Sequence, residues 1–119
     1  MSKKFLLVIT HSADDHDRAN GAIGMATSLL GDDADLALFF VFEGAKLAVK
    51  EVAKTIEGAH MTPVRELLPL ILEADLPMFV CSACVKKYAI QEEELIDGVK
   101  IATLPTITAE MIDRETIMF

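Results

Sequence analysis

FLLVI at residues 5–9, followed directly by THSADD at residues 10–15, sets a pattern that the rest of the chain repeats. An unbroken apolar run rich in β-forming side chains predicts a strand that is buried on both faces of a parallel sheet. The polar residues after it include several helix-capping types and predict a loop before a helix. From about Asp17, apolar side chains recur at spacings of three and four, and Gly31 closes the segment. This spacing predicts an amphipathic helix.

The same alternation continues to the end of the chain. Further strands are predicted at residues 36–42, 78–80, 99–102 and 116–119, and further helices at 45–54, from Thr62-Pro63 onward, at 91–96 and at 106–114. Pro69 would lie inside the third helix, where it lacks an amide donor, so we expect a kink or a late start there. Alternating strands and helices indicate an α/β fold with a mainly parallel sheet. Because no linker or repeat interrupts the pattern, we expect a single domain spanning residues 1–119.

Composition limits the possible functions. The 119 residues carry 11 basic and 19 acidic side chains, a formal net charge of −8, and 52% of them are hydrophobic. A chain this apolar is not a disordered tail. Its acidity argues against a nucleic-acid partner, because two lysines at Lys86-Lys87 are too few to bind a polyanion. The longest apolar run, at residues 36–42, is far shorter than the roughly 18 residues of a membrane span. With two cysteines and no signal peptide, we expect a cytoplasmic protein with no membrane partner.

The chemistry is predicted at the carboxyl ends of the strands, where open parallel sheets collect ligands and reactive groups. Three loops qualify: residues 10–15, residues 43–44 and residues 81–84. The last contains Cys81 and Cys84, the strongest nucleophiles of the chain. Cys81 directly follows the predicted third strand. If residues 82–88 form a helical turn, its free amides and the nearby lysines would lower the pKa of the Cys81 thiol. We therefore predict Cys81 as the reactive thiol, with Cys84 either a disulfide partner or a neighbour on the helix.

Other interpretations of these residues stay open. Packing alone could explain the cysteines, because free cysteine is among the most buried residue types. No metal is expected, since two sulfurs leave a tetrahedral site two ligands short. His11 and Asp14 could polarise a substrate at the sheet edge, although a capping role for Ser12 or Asp14 explains the same loop. Lys86 is the remaining predicted substrate contact.

The segment Phe79-Val80-Cys81-Ser82-Ala83-Cys84, together with Leu95-Ile96-Asp97-Gly98-Val99 and the order of the elements, resembles the DsrE/DsrF-like family. The similarity covers nearly the whole chain and is greatest to the YchN-like members. It implies a three-layer α/β/α sandwich with a mainly parallel five-stranded sheet, assembled into homotrimers or homohexamers. It also implies that the cysteine after the third strand, here Cys81, carries sulfur. Cys84 matches the second cysteine of YchN-like members but has no counterpart in the sulfur-relay protein TusD, and Tyr88 follows the two lysines where both relatives have glycine.

Residues and resemblance together predict an intracellular sulfur carrier, possessing sulfurtransferase-like activity if it is an enzyme. Cys81 would accept sulfane sulfur as a persulfide from a donor protein and pass it to an acceptor protein, a thiol exchange that needs no cofactor. Two alternatives remain: a thiol-disulfide redox protein that uses Cys81 and Cys84, and a non-catalytic oligomeric binding subunit.

Overall fold

Five parallel strands form one sheet in the computed structural model, which describes residues 2–119. The strands are β1 (Lys4–Ile9), β2 (Asp35–Phe40), β3 (Met78–Cys81), β4 (Val99–Ala102) and β5 (Glu115–Met118). They lie in the order β4-β3-β2-β1-β5, and each of the four neighbouring pairs is parallel. The predicted five-stranded sheet is confirmed, and it is parallel throughout.

Helices cover both faces of this sheet. They are α1 (His16–Gly31), α2 (Lys50–Ala53), α3 (Val64–Ala74), α4 (Ser82–Lys87) and α5 (Leu104–Asp113), with two 3-10 helices at Phe42–Ala48 and Glu92–Glu94. The steps from β1 to β4 all run in one direction, so right-handed crossovers place α1, α3 and α4 on one face. The return from β4 to β5 places α5 on the other face, where it packs on β1 and β5. The three-layer α/β/α architecture is thereby confirmed.

The core lies on the two central strands. Residues 6–9 of β1 and residues 36–40 of β2 are buried on both faces of the sheet. This burial explains why both strands have continuous apolar sequences instead of alternating ones. The register places Phe40 opposite both Ile9 and Val80, so the segments after β1, β2 and β3 leave the sheet at the same edge.

The second predicted strand and the helix after it differ from the prediction. β2 ends at Phe40, and although Val41 still donates to the Ile9 carbonyl at 3.0 Å, Phe42 turns sharply with a φ of +56°. The predicted helix at 45–54 is divided into the 3-10 helix Phe42–Ala48 and the short α2. Gly44 shows why this segment is tightly wound: a Cβ there would lie 1.9 Å from the Ile9 carbonyl oxygen. Only glycine allows such an approach between backbones.

The remaining boundaries shift by smaller amounts. α3 is capped by Pro63, one residue later than predicted, and it includes Pro69 in its interior. Pro69 is exposed, so the carbonyl that it leaves without a donor can bind water. The predicted acidic helix at 91–96 is only the 3-10 helix Glu92–Glu94. α5 begins two residues earlier than predicted, with Pro105 in its first turn, where its missing amide costs nothing.

Candidate functional site

Cys81 is the last residue of β3 and the N-cap of α4. Its side chain is partly exposed and its thiol is free. The first amides of α4 have no intrahelical acceptor, and no side chain caps them. A helical turn after the cysteine was only assumed from the sequence; the structure has one, and Cys81 lies at its amino end.

Cys84 is in the first turn of α4 and has a different environment. It is 7% exposed, and its Sγ accepts a hydrogen bond from the Phe42 amide at 3.2 Å. Burial raises the pKa of the Cys84 thiol, and the neighbouring Cys81 side chain also raises it. The Phe42 amide and the charge of Lys87 lower the pKa but do not offset the burial. Cys84 is therefore more fully protonated at neutral pH than an ordinary thiol.

Phe42 provides the amide that contacts Cys84. Its left-handed φ of +56° is unusual for a bulky residue, and its side chain is 62% exposed. A strained backbone conformation of this kind costs roughly 1–3 kcal/mol and persists where the surrounding structure imposes it. Here it turns the chain out of β2 with its N–H directed at a cysteine sulfur.

A cleft of about 300 Å³ lies beside the two cysteines; we call it the Tyr88 cleft. It is lined by Phe42, Glu43, Ala83, Cys84, Lys87 and Tyr88. Of the two cysteines, Cys84 lines the cleft and Cys81 does not.

The Tyr88 ring forms a wall of this cleft and is held by charged neighbours. The Lys46 and Lys87 ammonium nitrogens lie 4.4 and 5.3 Å from the ring centroid, within cation–π range. The Tyr88 hydroxyl donates to Glu43 Oε1 at 3.4 Å, and Lys46 pairs with Glu43 at 2.9 Å. The cleft therefore combines an aromatic wall with positive charge next to a thiol.

The loop after β1 brings His11 and Asp14 together. His11 Nδ1 lies 2.7 Å from Asp14 Oδ2, and the Ser12 amide donates to Asp14 Oδ1 at 2.7 Å. Burial acts to raise the pKa of Asp14, but the Ser12 amide and His11 together lower it below the usual value. The Ser12 hydroxyl is buried and has no hydrogen-bond partner within residues 2–119. Neither Ser12 nor Asp14 caps α1, as the alternative interpretation required; Asp15 does, by accepting from the Arg18 amide.

The predicted residues Asp14 and Lys86 do not line the Tyr88 cleft. Asp14 lies within electrostatic range of Lys46, whose pKa is raised by Glu43 foremost and also by Asp14. Lys86 is exposed in the last turn of α4 and does not line the Tyr88 cleft, whereas its neighbour Lys87 does.

Three residues that line the cleft, and Lys46 beside the Tyr88 ring, were not predicted as site residues; the three are Phe42, Lys87 and Tyr88. Phe42 ends an apolar run and could only be interpreted as part of a strand. Lys46 and Lys87 are solvent-type residues whose sequence neighbours give no sign of a shared site. Tyr88 was the available signal, because it is the single tyrosine of the chain.

No three His, Cys, Asp or Glu side chains within residues 2–119 are grouped so that they could hold a metal ion. Across the same residues, no helix has both the length and the apolarity to cross a membrane.

A parallel α/β/α domain with a cysteine at the carboxyl end of β3 defines a class of small thiol-bearing proteins. Residues 3–119 match the DsrE/DsrF-like family, and the chain belongs to it. Among related sequences, an uncharacterized protein of Methanocaldococcus jannaschii is 27% identical over 115 residues, covering 97% of each chain. One of Methanopyrus kandleri is 24% identical over 113 residues, covering 95% of this chain and 90% of its own.

Two solved structures share the fold. The YchN protein of Escherichia coli superposes with a TM-score of 0.79 over the full length of both chains, at 18% identity. MTH1491 of Methanobacterium thermoautotrophicum, a protein of unknown function, gives a TM-score of 0.74 at 12% identity, covering 99% of this chain and all of its own. The predicted membership of the DsrE/DsrF-like family is therefore confirmed, and the fold is shared with YchN.

Proposed function

We propose that this protein is a sulfur carrier that accepts sulfane sulfur as a persulfide on Cys81 and passes it to a partner protein. The observation that carries the proposal is a free, partly exposed thiol at the carboxyl end of β3, directly before a helix, in a member of the DsrE/DsrF-like family.

The reaction is a thiol exchange without net oxidation. The Cys81 thiolate attacks the outer sulfur of a donor persulfide, and a new S–S bond forms between that sulfur and Cys81. The S–S bond of the donor breaks, and the donor leaves as a thiolate. The acceptor protein repeats the same attack on the Cys81 persulfide. No cofactor takes part.

The test is intact-mass spectrometry after incubation with polysulfide or with thiosulfate. The wild type should gain the mass of one sulfur atom, and Cys81→Ser should gain none. Ser82→Ala, the next residue along, is the matched control and should load like the wild type. An unmodified wild type with both donors would refute the proposal.

We also propose that Lys86, His11 and Asp14 contact the partner proteins. Lys86 is exposed on the same short helix as the cysteines, and the His11–Asp14 pair lies at the same edge of the sheet. Lys86→Gln and His11→Gln should slow loading from a protein persulfide donor while leaving loading from inorganic polysulfide unchanged. Equal rates from the protein donor in variants and wild type would remove these residues from the docking surface.

Assembly into a homotrimer or homohexamer in the cytoplasm is a further part of this proposal. Large apolar side chains remain exposed on α5 and on both edge strands: Ile101, Leu104, Met111, Ile112 and Met118. Ile112 is 89% exposed, which is unusual for an aliphatic side chain unless a second subunit covers it. Light scattering coupled to gel filtration should give three or six chains, and Ile112→Glu should reduce that number.

One observation favours a second function, thiol-disulfide exchange through Cys81 and Cys84. The Cys81 side chain lies close enough to Cys84 to raise the pKa of the Cys84 thiol. A redox titration decides: a Cys81–Cys84 disulfide with a potential near the cytosolic poise would favour the redox function over sulfur carriage. If Cys81 resists alkylation in the folded protein, the non-catalytic binding subunit becomes the better interpretation.

A further inference from the structure

The two cysteines differ in the space and the hydrogen bonds around their sulfurs. Cys81 is the accessible thiol, but it does not line the Tyr88 cleft. Cys84 is buried but lines the cleft, and its Sγ accepts a hydrogen bond from the Phe42 amide nitrogen at 3.2 Å. A persulfide needs room for one more sulfur atom and benefits from donors and positive charge near its anionic form. The Tyr88 cleft supplies the room beside Cys84, and the Phe42 amide and the Lys87 ammonium supply a donor and a positive charge there, although burial still raises the pKa of the thiol.

We infer that sulfane sulfur received by Cys81 moves on to Cys84 and is held there, with its outer sulfur in the Tyr88 cleft. This inference rests on the proposed function, since Cys81 must first be loaded. Cys84 is then the storage position and Cys81 the entry position of one relay. The substrate held in the cleft is a single sulfane sulfur bonded to the protein.

The transfer of sulfur from Cys81 to Cys84 conserves atoms and electrons within the chain. The Cys84 sulfur attacks the outer sulfur of the Cys81 persulfide, an S–S bond forms at Cys84, and the S–S bond at Cys81 breaks. The proton of the Cys84 thiol passes to the Cys81 thiolate. One persulfide and one thiol become one thiol and one persulfide, so neither an oxidant nor a reductant is needed. Residues three apart at a helix start are neighbours, which permits direct attack.

The surroundings of Cys84 favour holding the sulfur over releasing it. The Phe42 amide and the Lys87 ammonium are already placed to stabilise negative charge there. The Tyr88 ring, with Lys46 and Lys87 within 4.4 and 5.3 Å of its centroid, forms one wall of the cleft beside Cys84. Because the pKa of the Cys84 thiol is raised, the inward step should become faster as the pH increases towards that pKa.

Peptide mapping of the polysulfide-loaded, alkylated wild type tests the inference. The extra sulfur should be found on Cys84 in the wild type and on Cys81 in Cys84→Ser. Glutathione should discharge Cys84→Ser about tenfold faster than the wild type, since its persulfide remains exposed. Circular dichroism of each variant verifies that the fold is retained.

A second variant keeps the test independent of substitution at the buried cysteine. Lys87→Gln removes a positive charge from the cleft and should shorten the lifetime of the persulfide, whereas Lys50→Gln, an exposed lysine on α2, should not.

The outcomes separate this inference from the proposed function. Sulfur found only on Cys81, with equal lifetimes in wild type and Cys84→Ser, would overturn the inward transfer and leave the carrier function intact. Release of sulfide with formation of a Cys81–Cys84 disulfide would also overturn it, because the attack would then occur on the inner sulfur. No sulfur on either cysteine would overturn the carrier function itself.

Discussion

The two ends of the sheet differ in whether their buried polar groups have hydrogen-bond partners. At the amino end, Arg114 is only 8% exposed as a side chain and is bonded on several sides: to Glu110 at 2.7 Å, to the Asp35 carboxylate at 3.0 Å and to the Asp35 carbonyl at 2.8 Å. At the carboxyl end, the Ser12 hydroxyl is buried without a partner in the described chain, and Phe42 holds a left-handed backbone.

This difference teaches where stability and reactivity are located. Satisfied ionic contacts at the amino end tie α5 to the starts of β1 and β2. Strain, an open cleft and free thiols gather at the carboxyl end, where they cost stability but provide a site. Substitutions at the amino end should therefore change only the free energy of unfolding, and those at the carboxyl end should change sulfur loading. One residue at the carboxyl end is an exception, because its substitution should also reduce stability strongly.

That exception, Gly44, should give the largest effect. Gly44→Ala places a methyl group 1.9 Å from the Ile9 carbonyl oxygen, so the backbone of the 3-10 helix or of β1 must move. We expect a loss of about 3 kcal/mol in the free energy of unfolding. Because the 3-10 helix carries Phe42 and Glu43, sulfur loading should also fall. Denaturant unfolding at one fixed protein concentration measures the first effect and mass spectrometry the second.

Gly24→Ala is the matched control for this substitution. It lies inside α1, with nothing within 4 Å of the added methyl group, so it should raise the stability by up to about 1 kcal/mol through helix propensity. If both alanine variants unfold at the same denaturant concentration, the close approach at Gly44 does not determine the fold of this edge.

Arg114→Met tests the amino end and should have the next largest effect. The guanidinium is buried, which acts to lower its pKa, but Glu110 and Asp35 outweigh the burial and hold the pKa above its usual value. Removing it leaves two carboxylates and a carbonyl without their donor, at an expected cost of about 2 kcal/mol. Persulfide loading per folded molecule should not change.

The control for Arg114 is the exposed pair of Lys4 and Asp113, 3.3 Å apart. Lys4→Met should cost less than about 1 kcal/mol, because exposed ion pairs contribute little. A cost similar to that of Arg114→Met would mean that burial is not what makes the arginine contacts strong. A change in loading by Arg114→Met would break the proposed division between the two ends.

Phe42 should show a smaller effect that isolates backbone strain. Phe42→Gly and Phe42→Ala remove the same aromatic ring, but only glycine tolerates the φ of +56° without penalty. We expect the glycine variant to be about 1 kcal/mol more stable than the alanine variant. Both keep the backbone amide that contacts Cys84. Equal stabilities would show that the left-handed turn stores no strain.

The sequence predicted the order of elements well because each strand is an apolar run between turn residues. β4 was placed at its exact bounds, and β1 and β3 within one residue. The errors concern places where tertiary contacts override local pattern. Val41 and Phe42 continue the apolar run of β2, but the close approach of Gly44 to β1 requires the chain to turn at Phe42.

The site was predictable to the same degree. The cysteines could be placed, because they follow a strand whose carboxyl end had to lie at the ligand-binding edge. The Tyr88 cleft could not, because it joins Phe42 and Glu43 to Lys87 and Tyr88, segments more than forty residues apart along the chain. Lys86 and Lys87 are adjacent, so the rotation of α4 about its axis decides which of them lines the cleft. In the structure it is Lys87 and not the predicted Lys86.

Asp14 should give the smallest effect, one that depends on pH. Its pKa is lowered in the folded protein, so the folded state binds the proton less tightly than the unfolded chain does. The resulting stability is present above the unfolded value of 3.8 and is lost as the pH falls through the lowered folded value. The free energy of unfolding of the wild type should exceed that of Asp14→Asn at neutral pH, and the difference should disappear in strong acid.

The comparison variant for Asp14 is Glu73→Gln, an exposed carboxylate on α3 with no hydrogen bond among the described side chains. The Asp14 effect should be modest, because its carboxylate is 36% exposed and solvent screens its contacts with His11. A pH-independent cost as large as that of Arg114→Met would show that the loop after β1 is a structural brace. The carboxyl end of the sheet would then contribute as much to stability as the amino end. The two ends would differ only in that the carboxyl end also has the cysteines and the Tyr88 cleft.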